Sequence, residues 1–368
     1  MKINMNSELN PKNFRSIYNL VEDAFSYTIL DNTFTVFKSI NKIIILIYAN
    51  LDRSIISYNL INNKKINEIK NAHQNYITNF RHYLDEINNR DLVLSISAKD
   101  YNIRVWNINN YECILNLTNI HNFHSKNYNY QLSSACFLNN NNQIYIITSD
   151  YSDFLYSSLS DPIKIFDLNG NLIKEIKHYI YNNTLFIDTY FDKKLSKNYI
   201  ITGNYGFVES YDFTNNNIYH KYTQYNNDIN NKNHTYSYES LIISTLEDIE
   251  NEKSILKLIA SCSDGYIKIW NFHSGEILKL IKVFGVFLHS ICLINNNYLA
   301  VGCGDKTIKI VDINKGKTMK TMFNQYDVNC IKSIIHPLYG ICLISQTNQP
   351  QIYFYIKEKS AIKLWVNK

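Results

Sequence analysis

Six short segments of the chain repeat one alternation of apolar and polar positions. Asp100-Tyr101-Asn102-Ile103-Arg104-Val105-Trp106-Asn107 recurs as Asp264-Gly265-Tyr266-Ile267-Lys268-Ile269-Trp270-Asn271 and as Asp305-Lys306-Thr307-Ile308-Lys309-Ile310-Val311-Asp312. Weaker copies are Pro162-Ile163-Lys164-Ile165-Phe166-Asp167, Phe207-Val208-Glu209-Ser210-Tyr211-Asp212 and Ser54-Ile55-Ile56-Ser57-Tyr58-Asn59. Most alternate inward apolar with outward polar residues, the period of a half-buried strand. Each copy ends on an anchor followed by Asp or Asn. The anchors Tyr58, Trp106, Phe166, Tyr211, Trp270 and Val311 stand at intervals of 48, 60, 45, 59 and 41 residues. The two long intervals hold insertions, one at Tyr151–Tyr156 and one covering Asn226–Asn233 and Glu247–Glu252.

A period of about 40–45 residues with this motif resembles the WD-repeat family. The resemblance covers residues 25–368 and implies an all-β, seven-bladed β-propeller of WD-repeat type, with residues 1–24 as an N-terminal extension. It also implies a hydrogen-bond network of His, Ser or Thr, Asp and Trp within a blade. His73, Ser97, Asp100 and Trp106 match it in the second repeat. His234, Ser261, Asp264 and Trp270 are the candidates in the fifth, and Asp305 holds the same turn position in the sixth. An Asp in a tight turn bonds backbone amides, so these carboxylates read as structural rather than catalytic.

Each unit is a small sheet with two apolar faces and must stack on neighbours around a ring. The ring has to close, because an exposed strand edge invites aggregation. The favoured alignment makes Ile362-Lys363-Leu364-Trp365 the third strand of the last blade. Its fourth strand would come from Phe25–Leu30, just before Phe34–Phe37, the first strand of blade one. A rival alignment makes Ile352-Tyr353-Phe354-Tyr355 the third strand and Ile362–Trp365 the fourth. Phe14, Ile17, Tyr18, Val21 and Phe25 have helical spacing, so residues 1–24 read as a short amphipathic helix outside the ring, lying on the propeller or reaching a partner.

Composition agrees with strands: aromatics make up 14%, Tyr alone counts 30, and Pro only 4. Net charge is a mild +5, and basic residues run only in pairs, Lys64-Lys65 and Lys193-Lys194. A nucleic-acid surface would cluster them, so no nucleic acid is expected. The seven Cys are odd in number and lack CxxC spacing, which points to a reducing, intracellular compartment, cytoplasmic or nuclear. The first residues lack the apolar core of a signal peptide, and Ile43–Ala49 is too short to span a bilayer.

Motifs that would carry chemistry do not complete themselves. Gly316-Lys317-Thr318 lacks the earlier Gly of a phosphate loop, since Val311 stands there. Gly302-Cys303-Gly304 falls in the repeated turn before Asp305. His121 and His124 have no acidic or Cys companion nearby in sequence. No catalytic residue, cofactor or metal site is expected. The resemblance implies a scaffold or adaptor that binds other proteins, with turn residues Tyr101, Tyr205, Tyr266 and Lys306 presented on one rim. Two other functions have weaker support. A phosphoinositide-binding propeller would carry an Arg-Arg pair, and Phe80-Arg81-His82-Tyr83 is the nearest fragment. A substrate receptor of a ubiquitin ligase often has Arg two residues after the Asp of Trp-Asp, where Asn109, Thr214, His273 and Asn314 stand here.

Overall fold

The computed structural model describes residues 14–21, 33–97, 100–120, 130–152, 162–177, 184–204, 206–223, 238–248, 253–283, 287–347 and 352–357. These residues form seven four-stranded sheets. Sheets 1 to 6 take their strands in chain order from residues 34–69, 79–118, 130–176, 184–222, 238–282 and 288–323. Sheet 7 combines residues 328–357 with Phe14–Val21.

Within each sheet every neighbouring pair is antiparallel. In sheet 1, Phe34–Lys38 pairs with Ile44–Ala49, which pairs with Ile55–Asn59, which pairs with Lys64–Ile69. The first strand of each sheet touches the first strands of both neighbouring sheets. The circle runs from Phe34–Lys38 through Asn79–Asp85 and onward to Val328–His336, which meets Phe34–Lys38 again. The chain is therefore an all-β propeller whose first strands surround a central channel.

The core lies between sheets rather than inside any one of them. Seven apolar clusters fill the seven junctions. The repeated anchor always packs against the preceding sheet. Trp106 sits with Phe37, Ile45 and Ile47 of sheet 1, and Trp270 with Tyr199, Val208 and Tyr222 of sheet 4. Phe166, Tyr211 and Val311 do the same against sheets 2, 3 and 5.

The polar positions of the repeated strand do not face water as the alternation suggested. Lys164, Glu209, Lys268 and Lys309 are all buried, with Glu209 and Lys268 at 0% exposure. In a ring of stacked sheets the second face of a strand meets the next sheet, so the polar side of the alternation is enclosed as well. These charges are matched inside: Lys268 with Asp264 at 2.7 Å, Lys309 with Asp305 at 2.6 Å, and Glu209 with the Tyr211 hydroxyl at 2.6 Å.

Closure combines parts of both alignments. The third strand of sheet 7 is Ile352–Lys357, as the rival alignment has it and not Ile362–Trp365 as the favoured one does. The fourth strand does come from the N-terminus, but it is Phe14–Val21 and not Phe25–Leu30. Phe14 pairs with Lys357 and Val21 with Ile352, with two register shifts between them. The helix expected within residues 1–24 is thus a strand over Phe14–Val21, and the ring begins before residue 25. An eight-residue segment can satisfy both periods, and the open edge of Ile352–Lys357 selects the extended one. Residues 25–30 and 362–365 themselves lie outside the described residues.

Candidate functional site

The repeated Asp turns of sheets 1, 2, 5 and 6 gather at one rim, between the second and third strands. The residue after the Asp takes a left-handed φ: +68° at Arg53, +52° at Tyr101, +84° at Gly265 and +63° at Lys306. Asp52-Arg53 is a further copy of this turn that the sequence reading did not single out. Asp52 accepts the backbone N–H of Ser54 at 2.9 Å, and hydrogen bonds from Ser54 hold its carboxyl below the usual range.

In sheet 2 the four expected network residues divide into two groups. Trp106 Nε1 donates to Ser95 Oγ at 2.9 Å, and Ser95 Oγ lies 2.7 Å from His73 Nε2. Ser97 instead donates to Asp100 at 2.8 Å, and Asp100 also accepts the backbone N–H of Asn75. Asp100 therefore pins the loop entering the sheet to its turn, while Ser95 bridges His73 and Trp106. Ser95 was missed because Ser95 and Ser97 both face the same way on one strand, and only the reach of the Trp106 indole N–H separates them.

Sheets 5 and 6 solve the same problem differently. Trp270 Nε1 donates to the Thr223 carbonyl at 3.1 Å, and Ser261 Oγ is buried without a partner. Asp264 accepts the Tyr266 N–H at 3.1 Å and pairs with buried Lys268. Asp305 accepts from the Thr307 hydroxyl and from Lys309, whose ammonium also donates to Thr307 Oγ1 at 2.7 Å. A lysine four residues after the Asp neutralises it from inside the sheet stack. His234, Tyr205, His121 and His124 lie outside the described residues.

Gly302 belongs to strand Tyr298–Cys303, and its reason for being glycine is packing. A Cβ there would lie 2.7 Å from the Val328 carbonyl oxygen of sheet 7. Gly316 ends a turn with φ +64°, under the side chain of Lys279 from sheet 5. Among the described residues no group of three or more His, Cys, Asp or Glu is placed to hold a metal ion. No helix among them is long and apolar enough to cross a membrane.

The rim residues expected to meet a partner differ in access. Tyr101 and Tyr266 are half-buried, whereas Lys306 is exposed. Beside Lys306 stand two aromatic side chains that the repeat pattern did not flag, Phe323 at 84% and Phe287 at 56% exposure. They are tied to the turn through backbone: Gly304 N–H donates to the Phe287 carbonyl at 3.0 Å, and Asn324 N–H to the Lys306 carbonyl at 2.7 Å. The signal was present as the apolar run Phe284-Gly285-Val286-Phe287 in a connection between sheets, where polar residues are the rule.

His73 and His289 are both buried, and burial draws their pKa values down to about 3 and about 4. Arg104 adds to the effect at His73. In the unfolded chain both would bind a proton near pH 6.5, and in the fold they do not. Stability contributed by the neutral rings is complete above that pH and is lost as pH falls toward 4. Each pKa unit is worth about 1.4 kcal/mol, so at pH 5 each histidine costs about 2 kcal/mol. Denaturant unfolding at pH 7.5 and 5.0 measures this. Equal midpoints at the two values would remove the histidines from the account.

Comparison with known proteins agrees with this geometry. The family described as WD domain, G-beta repeat matches residues 251–271, which span the end of the sheet 5 insertion and the strand ending at Trp270-Asn271. No curated protein matches the sequence. Among solved structures, chains from two crystal structures of BBS1N in complex with ARL6DN, one soaked with lead and one with mercury, share the fold. The first has a TM-score of 0.67 at 10% identity, covering 95% of this chain and 98% of the other. The second has a TM-score of 0.65 at 9% identity with the same coverage. The repeated strand, the Asp turns and the ring define a β-propeller whose repeat is similar to the WD domain, G-beta repeat.

Proposed function

We propose that the chain is a seven-bladed, non-enzymatic scaffold that binds another protein through the rim of sheets 5 and 6. The observation that carries this reading is the pair Phe287 and Phe323, two large aromatic rings left in solvent beside Lys306 on backbone-tethered turns. Exposed aromatics on a rigid support lose little conformational entropy on binding and are frequent interface anchors. Structures of the same fold that hold BBS1N with ARL6DN support protein binding by such a ring. The free state of all seven cysteines supports a reducing compartment for the encounter.

The test compares the full chain with Phe287→Ser/Phe323→Ser. Both side chains are exposed, and surface changes of this kind usually alter stability by no more than about 0.5 kcal/mol. Quantitative mass spectrometry of proteins retained from the native cell should show at least one partner reduced about 10-fold, as expected when an anchor worth roughly 1.4 kcal/mol or more is removed. An unchanged partner set with an unchanged melting temperature would move the interface elsewhere.

A further inference from the structure

The first strands of sheets 2, 3 and 4 enclose a cavity of about 280 Å³. Its wall includes Arg81, Tyr83, Cys136, Phe137, Asp188 and Phe191. Phe191 is 48% exposed, so the cavity opens where these strands turn, at the rim opposite the Asp turns.

Arg81 dominates its chemistry. The guanidinium carbon lies 4.9 Å from the centroid of the Phe186 ring, two sheets away. Nη1 donates to Asn79 Oδ1 at 3.1 Å and to the Phe80 carbonyl at 3.3 Å. Nε and Nη2 are buried and have no hydrogen-bond partner. A buried donor without an acceptor is costly, and a charged one more so. Nε–H and Nη2–H leave the same edge of a planar group in parallel, a spacing that fits the two oxygens of a carboxylate.

Two further charges act in this channel. Burial pushes the Cys136 thiol up, Asp188 raises it further, and Arg81 draws it back. Burial likewise raises Cys330, and Lys332 and Arg81 oppose it. Asp188 accepts the backbone N–H of Thr189 at 2.8 Å and does not reach the free edge of Arg81. Among the lining residues Arg81 carries the positive charge and Asp188 the negative one, and Asp188 leaves the Nε–Nη2 edge of Arg81 open to a second carboxylate.

We propose that this cavity is a carboxylate-binding site in which the Nε–Nη2 edge of Arg81 grips one carboxylate, carried by a small free acid or by an acidic side chain of a bound peptide. Its volume sits at the lower limit of ligand pockets and suits a few methylenes ending in a carboxylate. Phe137 and Phe191 line the path with apolar surface for that stem. The edge is screened from solvent in this conformation. A turn of the guanidinium about its last torsions, at the expense of the two Nη1 bonds, presents it to the cavity.

Isothermal titration of the full chain with succinate, with the capped peptide acetyl-Gly-Glu-Gly-amide and with inorganic phosphate tests the proposal. At least one carboxylate should bind, and Arg81→Lys should weaken it about 10-fold or more, because an ammonium cannot offer two parallel donors. Asp188→Asn, which leaves Arg81 in place, should tighten it severalfold by removing a like charge. Binding of the peptide alone assigns the carboxylate to a partner side chain, and binding of succinate alone to a free acid; either supports the site. No carboxylate binding by the folded chain, or binding of phosphate alone, would overturn it. So would an affinity that survives Arg81→Lys, or one that Asp188→Asn leaves unchanged or weaker.

Discussion

Removing residues 1–21 should prevent the chain from folding into a closed ring. Phe14–Val21 is the outer strand of sheet 7, and its pairing with Ile352–Lys357 joins the two ends of the chain. Without it the edge of Ile352–Lys357 presents a row of unpaired backbone groups, a template for aggregation. The lost ladder contributes roughly 0.5–1.5 kcal/mol per hydrogen bond over six paired positions, in a fold whose total stability is about 5–15 kcal/mol. Deletion of residues 1–12 keeps the strand and serves as the control. Size-exclusion chromatography and thermal melting give the comparison. A soluble 22–368 protein that melts cooperatively at the temperature of the full chain would show that the ring closes without this strand.

Truncation of the buried tryptophans should have the next largest effect. Trp270 is fully buried, its ring centroid is 6.0 Å from that of Tyr222, and its Nε1 satisfies the Thr223 carbonyl. Trp270→Ala opens a cavity at the junction of sheets 4 and 5 and removes the indole donor from that carbonyl. The expected cost is about 3–5 kcal/mol. Trp106→Ala should fall in the same range, because it also strips Ser95 of its donor beside His73. Urea unfolding of both variants measures the loss. A change below about 1 kcal/mol at either site would mean the junction collapses onto the space, which the surrounding aromatic cluster of Tyr199, Tyr222 and Phe272 should resist.

Much of the ring could be read along the chain, and the reason is repetition. The same alternation returning at Trp106, Trp270 and Val311 fixes three identical strands independently, so an error in one copy does not spread. The Asp turns were legible for the same reason: Asp100, Asp264 and Asp305 each precede a residue forced into left-handed or turn geometry. Ser95 was not legible, because its part depends on which of two serines the Trp106 indole N–H reaches on the neighbouring strand. Of the two exposed rim aromatics, Phe287 left only the apolar run 284–287 as a trace, and Phe323 left none. Both lie outside the repeated segment, and their exposure depends on where two sheets end in space.

The sequence by itself determined the strand type, the repeat, the anchors and the position of the turns, since each follows from local propensity and periodicity within about ten residues. Tertiary structure decided three things. It chose Phe14–Val21 as the closing strand, because only the open edge of Ile352–Lys357 distinguishes one N-terminal segment from another. It buried Lys164, Glu209, Lys268 and Lys309, because a strand cannot record whether its polar face will meet water or a neighbouring sheet. And it brought Arg81, Cys136 and Asp188 to one cavity, although they stand more than fifty residues apart in turn, because strands of three sheets converge on the channel. Those contacts join distant parts of the chain, and their cost and benefit exist only once the ring has closed.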